Sequence, residues 1–217
     1  MAKNTKMEFD PRFIHPFPCL IAGPTGSGKS VFVSQLILAG EQMIQGAPER
    51  IVWCYGEYQP LYSELGVQAP HLEFVEGLDF NIDPTKRTLI IIDDLMSETV
   101  NDKRLTDLFC KKSHHQNTSV IFIVQNLFIQ GKEMRNVTQN CHYMVLFKNP
   151  RDASIIGHLG KQMYPGKSKF IQEAFRDATK VPHGYLLIDL KQNTPEILRL
   201  RTDIFSPKVV VYAPKSL

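Results

Sequence analysis

No stretch of the chain stays apolar for the roughly 20 residues that a membrane-crossing helix needs, so no such helix is expected. Met1 to Pro18 lacks an apolar core run, and no secretory leader is expected there. Cys19, Cys54, Cys110 and Cys141 lie far apart and share no CxxC spacing, which argues against zinc. Cys19, Cys54 and Cys110 fall in or beside apolar segments, as buried free thiols do, and this favours a reducing compartment. A strong charge of one sign is also missing. The 25 Lys and Arg against 22 Asp and Glu leave +3, which permits a polyanionic partner without demanding one. There is no internal repeat, no low-complexity tract, no helix-turn-helix signature and no Cys/His finger array, so base-specific reading of nucleic acid is not expected. The expectation left standing is a soluble intracellular protein whose 217 residues suffice for one α/β domain with a sizeable core.

Residues 1–17 are polar, then rich in proline and aromatics, and are expected to form an N-terminal arm, with one P-loop domain over 18–217. The domain opens with a short buried strand at Cys19–Ala22, a glycine-rich loop, and a helix from about Lys29 to Met43 with Val33, Leu36, Ile37, Gly40 and Ile44 at helical spacing. Ile51–Tyr55 reads as a second strand, and Gln59–Phe80, with its Pro and Gly, as irregular. Leu89–Ile92 is a β-branched run suited to a central parallel strand covered on both faces. Asp102–Ser113 reads as helix, Val120–Val124 and Tyr143–Phe147 as the fourth and fifth strands. Asn149 and Pro150 are expected to start a helix carrying Ile155, Ile156, Leu159 and Met163 inward, followed by a helix over Ser168–Ala178. Tyr185–Leu190 and Ile197–Arg201 read as an antiparallel pair turned at Asn193–Pro195, with Val209–Tyr212 as a last edge strand, a β extension over about 184–212. Strands alternating with helices predict a mainly parallel sheet.

Gly23-Pro24-Thr25-Gly26-Ser27-Gly28-Lys29-Ser30 satisfies G-x-x-x-x-G-K-[ST] at every fixed position, between an apolar strand and an amphipathic helix. Gly26 and Gly28 let successive N–H groups turn inward at a helix start, where they cradle phosphate oxygens, and Val31 completes the contacting set. Lys29 places a positive charge between β- and γ-phosphates, and the Ser30 hydroxyl can ligate Mg²⁺. The pattern predicts ATP and Mg²⁺ as cofactors. Asp93, directly after the isoleucine run, sits at the ligand-binding edge of a parallel sheet and is the expected Mg²⁺-side carboxylate. Asp94 is a candidate for the base that orients water, with Glu57, at the end of the second strand, as its rival. Gln125 and Asn126 end the fourth strand, where an uncharged amide can report the state of the γ-phosphate.

With the P-loop, Leu89–Asp94 and Val120–Asn126 in this order, the chain resembles the FtsK–HerA superfamily of translocases. It looks most like viral genome-packaging ATPases of the Polinton/Maverick, adintovirus, adomavirus and poxvirus types. Trp53–Pro60, Ser113–Asn117 and Lys148–Asp152 are similar to that group, and the likeness spans roughly residues 18–205. The resemblance implies a RecA-like fold whose extra central strand lies between the P-loop strand and the Walker B strand. It implies a homo-oligomeric ring, a pentamer or hexamer, that threads double-stranded DNA without sequence preference into a viral capsid or procapsid vertex. The location implied is inside an infected host cell, in nucleus or cytoplasm, with virion association as an extension. It also implies an arginine reaching into the neighbouring site. Larger relatives carry it just before the fourth strand, where this chain has Lys111-Lys112-Ser113-His114-His115. Arg151 and then Arg135 are the candidates, ahead of Lys112 and His114.

Sequence-blind phosphate contact would fall to Lys111–Lys112, Gly131–Lys132 and the Lys161–Lys169 stretch, whose Gly166-Lys167-Ser168-Lys169 reads as a flexible basic loop. Two other functions use the same P-loop. A small-molecule kinase would need a lid with several arginines, and no such cluster is visible; a nucleotide-dependent assembly or capsid adaptor would need no turnover.

Overall fold

A computed structural model describes residues 10–95, 107–109, 117–127, 132–151 and 154–214. Its centre is a nine-stranded sheet in the order β11-β10-β9-β8-β2-β7-β6-β4-β5. The strands are β2 (Pro18–Ala22), β4 (Arg50–Tyr55), β5 (Leu72–Glu76), β6 (Thr88–Asp93), β7 (Thr118–Val124), β8 (Tyr143–Phe147), β9 (Tyr185–Asp189), β10 (Leu200–Thr202) and β11 (Val210–Tyr212). β5, β4, β6, β7, β2 and β8 run parallel, whereas β9, β10 and β11 add on as antiparallel neighbours. β7 is inserted between β2 and β6, with Ala22 opposite Val124 and Asp93 opposite Ile123. The α/β architecture expected from the sequence is therefore present, extra strand and antiparallel extension included.

Why these strands are continuous in hydrophobicity is plain from their two faces. Alternate residues of β2, β4, β6, β7 and β8 feed two separate cores. Leu20, Val52, Ile90, Phe122 and Met144 face one layer, made by α3 (Lys132–Asn140), α4 (Ser154–Met163) and α5 (Ser168–Ala178). Cys19, Trp53, Leu89, Ile91 and Val145 face the other, made by α1 (Lys29–Ala39) and α2 (Pro60–Gln68). With helices on both sides neither face meets water, and both sets of alternating positions can be apolar. Cys19, Cys54 and Cys141 are buried in these layers; Cys110 lies outside the described residues.

Four expectations need correction. The stretch Gln59–Phe80 is not irregular: Pro60 takes the first turn of α2, Tyr62 and Leu65 are buried one turn apart, and β5 lengthens the parallel sheet. The helix after the P-loop stops at Ala39, and Gly40–Gln42 continues as one 3₁₀ turn. Asn149 does not start α4; its Oδ1 accepts the Arg151 N–H at 3.1 Å in a local turn, and α4 begins at Ser154. The expected arm is, from Asp10 to Phe17, part of the domain. Within it β1 (Phe13–Ile14) pairs in parallel with β3 (Ile44–Gln45). Phe13 and Phe17 are fully buried against Tyr143. Burying each such ring contributes on the order of 2–3 kcal/mol, enough to hold the segment down.

The same end of the sheet carries a buried ion pair. Arg201 donates to Asp189 at 3.0 Å, both about 1% exposed or less, and reaches the Pro11 carbonyl at 3.3 Å. The Tyr143 hydroxyl accepts from Lys191 Nζ at 2.6 Å and from the Ile14 N–H at 3.1 Å. These contacts fix the start of the described chain at the edge where the parallel strands begin. The P-loop lies at the opposite edge.

Candidate active site

The loop between β2 and α1 is built as its composition dictates. Gly26 and Gly28 take φ of 76° and 102°, a region that other residues enter at a cost. Gly28 caps α1 without a side-chain bond, and no acidic residue lies in the first turn, so the free N–H groups there present unbalanced positive potential. Lys29 folds back over the loop and its Nζ donates to the carbonyls of Gly23 at 2.8 Å and Pro24 at 2.9 Å. Burial lowers the Lys29 pKa, while the charges of Asp93 and Asp94 oppose that shift. Val31, at the next position of α1, leaves its side chain 51% exposed.

β6 delivers Asp93 to the same point. Its Oδ2 accepts from the Ser30 hydroxyl at 3.0 Å and from the Tyr62 hydroxyl at 3.3 Å. Asp93 is only 4% exposed, and burial raises its pKa; the bonds from Ser30 and Tyr62 and the charge of Lys29 pull the other way. Tyr62 was missed by the sequence reading because it sits in the stretch taken as irregular, 31 residues from its partner. The signal that could have found it is Pro60 followed by Tyr62 and Leu65 at one-turn spacing. The same burial and the Asp93 charge push the Tyr62 hydroxyl's pKa up, keeping it a proton donor. Tyr62→Phe removes one of the two hydroxyls that orient the carboxylate. The Mg²⁺ concentration for half-maximal turnover is expected to rise about tenfold, read from a metal titration of ATP hydrolysis. An unchanged titration would dismiss Tyr62 as mere packing.

Thr25, Gly26, Lys29, Ser30, Gln59, Asp93, Asp94 and Gln125 surround one polar cleft of about 130 Å³. Asp94 is exposed with φ 56°, and its carbonyl lies so close to Gly56 that a Cβ there would sit 2.8 Å away. Glu57 is exposed and is not among the residues around this cleft; Gln59, two residues on, is. Gln125 also borders a second cleft with Pro24, Thr25, Asn126, Asn149, Pro150 and Arg151. In it Asn149 Nδ2 donates to Asn126 Oδ1 at 3.1 Å. Arg135 is exposed on α3 and is not among the residues lining either cleft. Lys111, Lys112, His114 and His115 lie outside the described residues.

The site suits the group its sequence calls for. Ser30 and Asp93 offer hard oxygen atoms at hydrogen-bond distance from each other, and one carboxylate with one hydroxyl is what a Mg²⁺ completed by phosphate oxygens and water requires. Among the described residues no three His, Cys, Asp or Glu side chains converge as an all-protein metal cage would need.

By sequence the chain matches no protein-family profile and no curated protein. By structure it superposes on the genome-packaging NTPase of Sulfolobus turreted icosahedral virus 2, solved in complex with ATP-γS. The TM-score is 0.55 at 12% identity, covering 92% of this chain and 98% of that one. The DNA-packaging ATPase of Sulfolobus turreted icosahedral virus gives 0.56, 12%, 92% and 98%. This chain shares the fold of these NTPases. The cytoplasmic domain of the Thermomonospora curvata type VII secretion ATPase EccC is also similar, with a TM-score of 0.52 at 14% identity over 90% of this chain but 25% of that one. The shared fold thus spans nearly the whole length of this chain.

Within that fold the segment Gly166-Lys167-Ser168-Lys169 is not a flexible loop. The Lys167 N–H donates to the Tyr164 carbonyl at 2.9 Å, and Ser168 already begins α5. Lys161, Lys167 and Lys169 are exposed around this corner, which the direction of α4 places away from the P-loop edge. Lys132 lies in α3, and Gly131 outside the described residues.

Proposed function

We propose that the chain is an ATPase that drives double-stranded DNA into a viral capsid as a homo-oligomeric ring of five or six copies, inside the infected cell. The observation that carries the reading is the meeting of the Ser30 hydroxyl with Asp93 at 3.0 Å beside Gln125, whose strand β7 is inserted between β2 and β6. That juxtaposition joins a phosphate cradle, a Mg²⁺-side carboxylate and a neutral amide at one cleft. The bound Mg²⁺, held by Ser30 and Asp93, would neutralise charge on the β- and γ-phosphates. Lys29, restrained by two loop carbonyls, adds a positive charge there. Asp94, exposed on the same cleft, orients the attacking water in this reading, ahead of Glu57, which does not line that cleft. Gln125 borders both clefts and is set to pass the γ-phosphate's state from one to the other.

Arg151 lines a cleft with Pro24 and Thr25 of its own P-loop, which suits action within its own subunit. Arg135, exposed on α3, is the other candidate to reach a neighbour. The ring reading is tested by ATP hydrolysis with and without double-stranded DNA, at protein concentrations high enough for assembly. DNA is expected to raise turnover of the wild type severalfold and to leave Asp94→Asn at least about 10²-fold slower. Wild-type turnover indifferent to DNA would favour an adaptor, and phosphoryl transfer to an added metabolite would favour a kinase.

A further inference from the structure

Val181, Pro182, His183 and Gly184 form a tight turn, closed by the Gly184 N–H donating to the Val181 carbonyl at 3.1 Å. Pro182 is the second residue. His183 is the third and takes φ 61°, where such a turn ordinarily asks for glycine or asparagine. The turn has little room to relax, because a Cβ on Gly184 would lie 2.4 Å from the Ala178 carbonyl oxygen at the end of α5. Backbone strain held at an exposed histidine points to something the side chain does.

What it touches is the phosphate loop. His183 Nδ1 lies 3.2 Å from the Ser27 carbonyl oxygen. The ring covers Gly28, where a Cβ would meet the imidazole at 3.3 Å, so the glycine makes its seat. A carbonyl can only accept, so Nδ1 carries the proton in this contact. The peptide joining Ser27 to Gly28 is planar and trans, which sets its C=O and its N–H in opposite directions. A Ser27 carbonyl held outward by His183 therefore turns the Gly28 N–H inward, into the cradle at the start of α1.

We propose that His183 is a positioning residue of the P-loop: by accepting the strain of its turn and donating to the Ser27 carbonyl, it presets the Gly28 N–H for a nucleotide's phosphates. The proposal rests on the nucleotide reading of the site. The contact comes from the loop before the antiparallel strand β9, so the C-terminal extension contributes to phosphate binding as well as to the sheet's width.

The test is calorimetric titration of ADP and of ATP with Mg²⁺ into wild type, His183→Ala, His183→Gly and His183→Asn, alongside the Tm of each ligand-free protein. The Gly and Ala variants are expected to bind both nucleotides about three- to tenfold more weakly, the worth of one net hydrogen bond. KM for ATP rises by the same factor while kcat stays within about twofold, because the cradle holds ground and transition states alike. The ligand-free Tm of His183→Gly holds or rises, since glycine accepts the turn's φ without strain. His183→Asn, which tolerates positive φ and keeps an N–H donor, recovers most of the affinity. Binding by His183→Gly equal to wild type, or an Asn variant no better than Ala, overturns the proposal. Wild-type protein that binds neither nucleotide overturns the nucleotide reading, and this one with it.

Discussion

Lys29→Ala is expected to reduce ATP turnover on the order of 10³-fold, in a protein that unfolds within a few degrees of the wild type. The two halves of that result have separate causes. Activity goes because Lys29 is the cation aimed into the cleft that also holds Ser30, Asp93, Asp94 and Gln125. Stability stays because the ammonium contributes little to the fold. Its pKa is lowered by burial, which means that the folded protein carries the charge at a cost. The sign follows from linkage. A lysine whose folded pKa lies below its unfolded value lowers stability progressively as pH falls through that window, and the penalty is fully present below the folded pKa. Removing the side chain removes this penalty together with the two bonds to the Gly23 and Pro24 carbonyls. Steady-state hydrolysis and a thermal melt on one preparation read both. A large fall in Tm would show that the inactivity reported misfolding, and a variant with near wild-type turnover would remove the P-loop from the chemistry.

Asp93→Asn should also separate activity from stability, more sharply. Mg²⁺-dependent turnover is expected to fall at least about 10²-fold, because the amide keeps the shape but loses the charge that balances a divalent ion. The ligand-free Tm is expected to hold or rise. Burial raises the Asp93 pKa above the ordinary carboxylate value of 3.8. Through the window from that value up to the folded pKa the native state binds more protons than the unfolded chain, so stability falls as pH rises across it. Above the window, where the protein works, the wild type carries an uncompensated part of the desolvation cost and the asparagine variant does not. The gap in Tm between the two should therefore close below the window, where both side chains are neutral. A variant less stable than wild type at neutral pH would mean that the bonds from Ser30 and Tyr62 outweigh the buried charge.

Most of what positions the site was legible in the chain because it is local. The runs that became β6 and β7 are apolar at successive positions, which only a sheet covered on both faces tolerates, and the glycines of the P-loop announce their own geometry. Tyr143–Phe147 and Ser168–Ala178 were read to the residue for the same reason: each pattern is continuous and bounded. What escaped is long-range. α2 buries Tyr62 and Leu65 alone among its nine residues, a signal too sparse beside Pro60 and Gly66. β5 is a partly exposed edge strand with glutamates at Glu73 and Glu76, so neither apolar run nor clean alternation marks it. Phe13 and Phe17 looked like part of an arm because nothing in sequence reveals that Tyr143 waits for them. The site shows the same division. Lys29, Ser30, Asp93, Asp94 and Gln125 stand at strand or helix ends fixed by pattern, whereas Tyr62, Gln59 and His183 reach the P-loop across the fold.

The anchoring of Asp10–Phe17 bears on how a single molecule could be held. Ile14 is tied to Tyr143 and Pro11 to Arg201, at the edge where the parallel strands begin. Five residues of β2 separate that edge from the P-loop, about 16–17 Å of extended chain. A linker joined ahead of Asp10 therefore leaves from the far end of the strands. Pulling on it would load the β1–β3 pairing and the Arg201 contact before any force reached the phosphate loop, so a surface tether there would leave the nucleotide mouth open to solution.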